Sequence, residues 1–143
     1  MTITLEDFQK VEIRVGKILS AEKIPDTDKL LKLMVDVGLK PKPTAGMGSP
    51  LGRLVGYGLA EHSVEQNVLR RERDIRQIVS GIALHFPEPS VLVGKRCMFV
   101  TNLAPRVIRG FESNGMLFAV STEDGKFSLL EPSSDIPPGT KAK

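Results

Sequence analysis

Two stretches near the front of the chain alternate apolar and polar residues with a period of two, and they restrict the fold more than any other feature. In the first, Val11, Ile13 and Val15 alternate with Glu12 and Arg14; Gly16 interrupts and Ile18 resumes. In the second, Leu31, Leu33, Val35 and Val37 share one face, with Lys32 and Asp36 on the other. That is the pattern of strands with one buried face. A glycine inside a strand marks a bulge or a sharp bend, and small barrels need such bends to close. Residues 10–24 therefore read as one long, curled first strand and 30–37 as the second. Ile24-Pro25-Asp26-Thr27-Asp28-Lys29 is the turn between them.

The remaining elements follow from the same rules. Thr4 can cap a short helix whose first turn holds Glu6 and Asp7. Leu5 and Phe8 lie on one face of it, and they are expected to plug one end of a barrel. Residues 75–84 read as a third strand, apolar on both faces and so suited to a central place. Pro87 to Val93 reads as a short helix or turn, Arg96 to Thr101 as the fourth strand and Gly115 to Ser121 as the fifth. Glu123-Asp124-Gly125-Lys126 is a hairpin turn into Phe127–Leu130. The proline-rich end from Pro132 to Lys143 is expected to run extended over the surface or a partner. Residues 39–72 are different: 40–50 is rich in proline and glycine, and only Ser63-Val64-Glu65-Gln66 resembles a helix start. We expect a mobile or partner-dependent insert between the second and third strands, which the barrel can fold without.

At 143 residues, 41% of them hydrophobic, the chain suits a single domain with one core. No apolar run approaches the ~20 residues of a membrane span, and MTITLEDFQK lacks the basic and apolar regions of a secretory signal. The expected compartment is the cytoplasm. Cys97 is the only cysteine, in an apolar run that reads as a buried, unreactive thiol. One cysteine and two distant histidines offer no zinc site, and His62 and His85 have no nucleophile in a strained turn nearby. No catalytic constellation or cofactor motif is found, and no enzyme activity is expected.

What stands out chemically is residues 102–118, NLAPRVIRGFESNGMLF, a loop between the fourth and fifth strands that contains Pro105, Gly110 and Gly115. Arg106 and Arg109 lie in it, and Lys95 and Arg96 precede it: four cations in fifteen residues without an acid. Guanidinium groups suit phosphate oxygens, although on charge alone an ordinary solvated loop reads equally well. The net charge of +3 permits nucleic-acid binding without demonstrating it. With six Phe, one Tyr and no Trp, stacking platforms are few, Phe111 and Tyr57 being the candidates. That favours recognition of RNA backbone and shape over extensive base stacking.

NLAPR followed by IRG and S-x-GM resembles the signature of the tRNA-binding domain of bacterial methionyl-tRNA synthetases. That domain is found at their C-terminus, as a separate beta-type subunit, and as free-standing tRNA-binding proteins. The resemblance extends to DFQKVEIRVGKILSAEKIPDTDKLLKLMVDVG, RQIVSGIA, PEPSVLVGKR and LLEPSSDIPPGTK, nearly everything outside 39–72. It implies an all-β fold, the five-stranded Greek-key OB barrel, which holds oligonucleotides with its loops between strands 1–2 and 4–5. It places Lys29, Arg76, Asn102, Arg106, Arg109, Ser113 and Met116 at tRNA-contacting positions. Val107 stands where the family often has lysine, and Asn114 where it often has glutamate or glutamine. The implied function is tRNA binding, free-standing or as an accessory subunit of methionyl-tRNA synthetase. The same domain resembles CsaA-type polypeptide-binding secretion chaperones, which is the alternative. Free-standing members are dimers, and because the first matched block begins close to Met1, a homodimer is expected, with the Leu5–Phe8 helix and the tail as interface.

Overall fold

A computed structural model of the chain describes residues 1–41 and 72–143. Its contacts divide the chain into one unit of Met1–Gly38 with Asp74–Lys143 and a second of Leu39–Arg73. Of the second unit, the neck is described: the Lys40 N–H donates to the Glu72 carbonyl at 2.9 Å, and the two side chains pair at 2.9 Å. The expected mobile loop, the helix start at Ser63 and Tyr57 lie outside the described residues.

The first unit is an all-β, OB-like barrel. Its main sheet has five strands: β1 (Ile13–Lys23), β2 (Leu31–Leu39), β3 (Arg73–Ser80), β4 (Arg96–Val100) and, last in the chain, β7 (Met116–Leu117). Their order is β3-β2-β1-β4-β7, and β1 pairs antiparallel with β2 through its second half and β4 through its first. The short strands β5 (Arg106–Ile108) and β6 (Phe111–Ser113) form a separate ribbon, as do β8 (Ala119–Ser121) and β9 (Phe127–Leu129). The last is the expected hairpin, closed by the Thr122 N–H to the Lys126 carbonyl at 2.8 Å.

Alternation in sequence becomes burial here. Leu31, Leu33, Val35 and Val37 are all fully buried, with Ile18, Ile78, Cys97 and Phe99 around them. Each such aliphatic side chain contributes about 1.5–3 kcal/mol by leaving water. Burial pushes the Cys97 thiol up to about 11, with Glu131 adding to the rise and Lys95 opposing it. The bend in β1 does not fall where the glycine pointed. The register skips between Ile18 and Ser20, so Leu19 is the bulged residue. Gly16 serves close packing instead: a Cβ there would lie 2.6 Å from the Phe99 ring and 2.7 Å from Val35 Cγ1.

Two further expectations are corrected, and the course of the tail is made specific. Helix α1 (Leu5–Gln9) forms, and Thr4 Oγ1 accepts the Asp7 N–H at 3.2 Å. Leu5 and Phe8, however, are 66% and 47% exposed and plug nothing. Leu92, in the 3-10 turn Pro89–Leu92 between β3 and β4, is the fully buried plug. The strand β3 ends at Ser80, before a 3-10 turn over Ala83–His85, and stands at the end of the sheet order. The tail is bound to β1. The Val15 N–H donates to Thr140 O at 2.9 Å, and those of Gly139 and Ala142 donate to Val15 O and Ile13 O, each at 2.8 Å. Gly38 and Gly139 both have positive φ and touch there: a Cβ on Gly38 would meet the Gly139 Cα at 2.5 Å.

Candidate nucleic-acid interface

Between the end of β4 and the start of β7 the chain leaves the sheet and folds back as the β5–β6 ribbon. The pairs are Arg106↔Ser113, Val107↔Glu112 and Ile108↔Phe111, so the two-residue turn is Arg109-Gly110. Both turn residues have positive φ, 52° and 82°, as the tight hairpin turn that matches strand twist requires. Glycine adopts that conformation freely, whereas an arginine there costs about 1 kcal/mol. In sequence this region reads only as a loop, because Arg-Gly is not the Asn-Gly signal by which such hairpins are recognised.

Ribbon and barrel are joined by hydrogen bonds that close the open edge of β3. The Asn114 N–H donates to Gln77 O at 2.9 Å, and Gln77 Nε2 donates to Glu112 O at 3.0 Å. Ser113 Oγ accepts the Val79 N–H at 3.0 Å and donates to Gly115 O at 3.2 Å. Ser113 is buried, and its hydroxyl is taken up by this closure. Phe111 is half-buried, with Lys32 Nζ 5.5 Å from its ring centre. The same ammonium is 3.1 Å from the Glu22 carboxylate, so one face of the candidate stacking ring is covered from within the protein.

Both feet of the loop are anchored as well. Arg76 holds the Asp74 carboxylate with Nε and Nη2, while Nη1 donates to the carbonyls of Thr101 and Asn114. One guanidinium thus ties the two ends of the loop to β3. On the other side, Asn102 Oδ1 accepts the Glu12 N–H at 2.8 Å and Nδ2 donates to Lys10 O at 2.6 Å. Thr101 Oγ1 donates to Glu12 Oε1 at 2.8 Å. Burial by itself would raise the Glu12 carboxyl, but the Thr101 hydroxyl, Arg14 and Lys141 together hold it below the usual carboxylate range.

The remaining candidates face outward. Arg106, Arg109 and Lys29 are exposed, and none has a carboxylate partner among the described residues. Met116 is 45% exposed, although its neighbour Leu117 is buried. A groove of about 730 Å³ runs between β3 and the first part of the loop, lined in part by Ile75, Arg76, Gln77, Asn102, Leu103 and Pro105. The four-cation cluster seen in sequence is divided. Lys95 and Arg96 lie at the far end of β4, about 17 Å away by strand rise, where Glu131 and Asp135 pair with them. Gln77, Asn114 and Lys32, which hold the ribbon down, carried no signal of that role because their partners are distant in sequence.

Residues 64–141 match the family described as "Putative tRNA binding domain". The chain is 41% identical over 141 residues to a methionine–tRNA ligase of Methanoregula boonei, covering 99% of this chain and 16% of the ligase. Against the methionine–tRNA ligase of Methanospirillum hungatei the identity is 39%, with the same coverage. The chain therefore spans 16% of the length of these curated relatives. Among solved structures, the MetRS-related protein of Pyrococcus horikoshii superposes with a TM-score of 0.70 at 32% identity, covering 100% of this chain and 99% of that one. The chaperone CsaA of Bacillus anthracis superposes at 0.68 with 22% identity, covering 100% of both chains, a likeness that speaks for the fold alone.

Proposed function

Because the chain belongs to the tRNA-binding domain family, we propose that it binds tRNA through the loop between β4 and β7, as a module without catalytic activity of its own. One observation carries the assignment to that loop: two guanidinium groups stand on an exposed ribbon with no carboxylate facing them among the described residues. Lys95 and Arg96, by contrast, are already neutralised by Glu131 and Asp135, which leaves the ribbon guanidiniums as the cations available to an anion beside β4. Arg106 and Arg109 take phosphates, each as a planar fork. Lys29, in the turn between β1 and β2, extends the cationic track, and Met116 offers an apolar contact to a base. Arg76 and Ser113 act from beneath by holding the ribbon in place. With Phe111 partly covered, recognition rests on backbone and shape, as suits a folded RNA.

The identity to methionine–tRNA ligases supports a role beside such an enzyme, as an attached or accessory domain that raises its hold on tRNA in the cytoplasm. A single small ribbon holds an RNA weakly, and a homodimer would present two ribbons to one tRNA and multiply affinity by effective concentration. The cleft of about 420 Å³ between α1 and the tail, where Leu5, Phe8 and Val11 are exposed beside Glu12 and Lys141, suits a second copy.

A gel-shift comparing folded tRNA, unstructured RNA of equal length and a denatured polypeptide tests the reading. Preference for folded tRNA is the expected result. Preference for the polypeptide would transfer the assignment to a chaperone. Light scattering at micromolar concentration tests the dimer, which a mass fixed at 15.6 kDa would exclude.

A further inference from the structure

Asn102 occupies a position from which an RNA contact is expected, yet its amide is turned to the protein. Its oxygen takes the Glu12 N–H at 2.8 Å and its nitrogen donates to the Lys10 carbonyl at 2.6 Å. Beside it the Thr101 N–H donates to Glu12 O at 2.9 Å, and the Thr101 hydroxyl donates to the Glu12 carboxylate at 2.8 Å. These hydrogen bonds, with a longer contact of the Thr101 hydroxyl to Glu12 O at 3.4 Å, form a clasp between residues 101–102 and 10–12, some 90 positions apart in sequence. Glu12 in turn is paired with Arg14 at 2.8 Å and with Lys141 of the tail at 3.4 Å. With the Arg76 bond to the Thr101 carbonyl, this clasp attaches the loop at its β4 end, opposite the closure that Gln77, Ser113 and Asn114 make at its other end.

We infer that Asn102 is a positioning residue: it fixes where the loop leaves the sheet, and so where Arg106 and Arg109 stand, without reading the RNA itself. The inference rests on the proposed use of those arginines, and it separates two roles that the shared motif does not distinguish. Residues 103–105, all exposed, connect the clasp to the ribbon. The proline at 105 stiffens that connection, which lets a constraint at 102 reach 106. An asparagine suits the task because it presents one donor and one acceptor at a fixed separation, as a peptide group does. The geometry also links the loop to the Lys10–Glu12 segment and to the tail, so ordering either one orders the loop.

A double-mutant cycle decides between positioning and contact. Asn102→Ala is combined with Arg106→Ala/Arg109→Ala, and tRNA affinity is measured at one fixed salt concentration. For a positioning residue the Asn102→Ala loss, roughly tenfold in the wild-type background, shrinks to less than about twofold once the arginines are gone. An equal loss in both backgrounds would mean that Asn102 touches RNA, and the inference would be overturned. Asn102→Ser, which is neutral and can offer an oxygen to the Glu12 N–H but cannot span both partners, falls between wild type and Asn102→Ala, and it carries the cycle if the alanine variant does not fold. Amide hydrogen exchange across 106–113 provides an arm that needs no RNA. It rises in Asn102→Ala even if the wild type proves not to bind tRNA, and unchanged protection there would overturn the clasp's role by itself.

Discussion

Two pairs of basic residues lie at opposite ends of β4, and in sequence they are alike. Lys95 and Arg96 lie at its start; Arg106 and Arg109 follow it. In the fold the first pair faces Glu131 and Asp135, which come back from the segment after β9. The second pair forms no ion pair among the described residues, and its ribbon's own acid, Glu112, lies opposite Val107. A cation's availability is thus a property of what the chain brings to it later, and a local charge count cannot see this. Arg109 adds a second contrast. Its φ of 52° places a long side chain where asparagine or glycine is favoured, a small cost located at the point where the proposed ligand binds.

The largest effect that would sharpen this contrast is loss of binding in Arg106→Ala/Arg109→Ala. We expect a fall of roughly one hundredfold in tRNA affinity, with the log–log salt slope flatter by about 1.4. Filter binding across a salt series reads both, and wild-type values in a folded variant would break the assignment. Arg109→Asn should act in opposite directions: affinity falls roughly tenfold, while unfolding stability rises by about 0.5–1 kcal/mol, because Asn-Gly is the preferred turn. A chemical denaturation curve beside the binding curve shows whether the two signs differ. Val107, 73% exposed on the outer face of the ribbon beside Glu112, offers the converse test. Val107→Lys should tighten binding severalfold and steepen the slope by about 0.7.

The smallest effects fall on the paired cations and on the clasp. Lys95→Ala/Arg96→Ala should change tRNA affinity less than about twofold and cost roughly 0–1 kcal/mol of stability, the range of exposed ion pairs. A loss near that of the ribbon arginines would erase the distinction between the pairs. For Glu12 the sign follows from its lowered folded-state value. The folded protein binds fewer protons than the unfolded chain in the carboxylate range, so this contribution is complete above the unfolded value and is lost as pH falls through the folded one. Denaturation midpoints against pH, for wild type and Glu12→Gln, should converge in acid. A constant gap between them would mean that the carboxylate does not carry the effect.

Much of the barrel was legible because burial on one face leaves a period of two. Leu31, Leu33, Val35 and Val37 announce β2, and every one is fully buried. The Asp124-Gly125 turn announces the β8–β9 hairpin for a similarly local reason, that a tight turn needs particular residues. The plug was misread because Leu5 and Phe8 are as apolar as Leu92, and apolarity does not say which side chain finds the barrel end. The role of Gly16 was likewise hidden, since the ring that crowds it belongs to Phe99.

The sequence by itself determined the strands of the main sheet to within a few residues and the loop in which the candidate chemistry lies, but not the ribbon inside that loop, because the former depend on periodicity and turn residues within a few positions of one another. Only the tertiary structure decided which residues in that loop are available. Ser113 closes the barrel against Val79, Arg76 ties Thr101 to Asn114, and Asn102 grips Lys10 and Glu12. Every one of those bonds spans 25 or more positions, 92 in the longest case. A polar side chain's capacity is spent on whatever the fold places within about 3 Å of it, and that partner leaves no mark on the residues beside it in the chain.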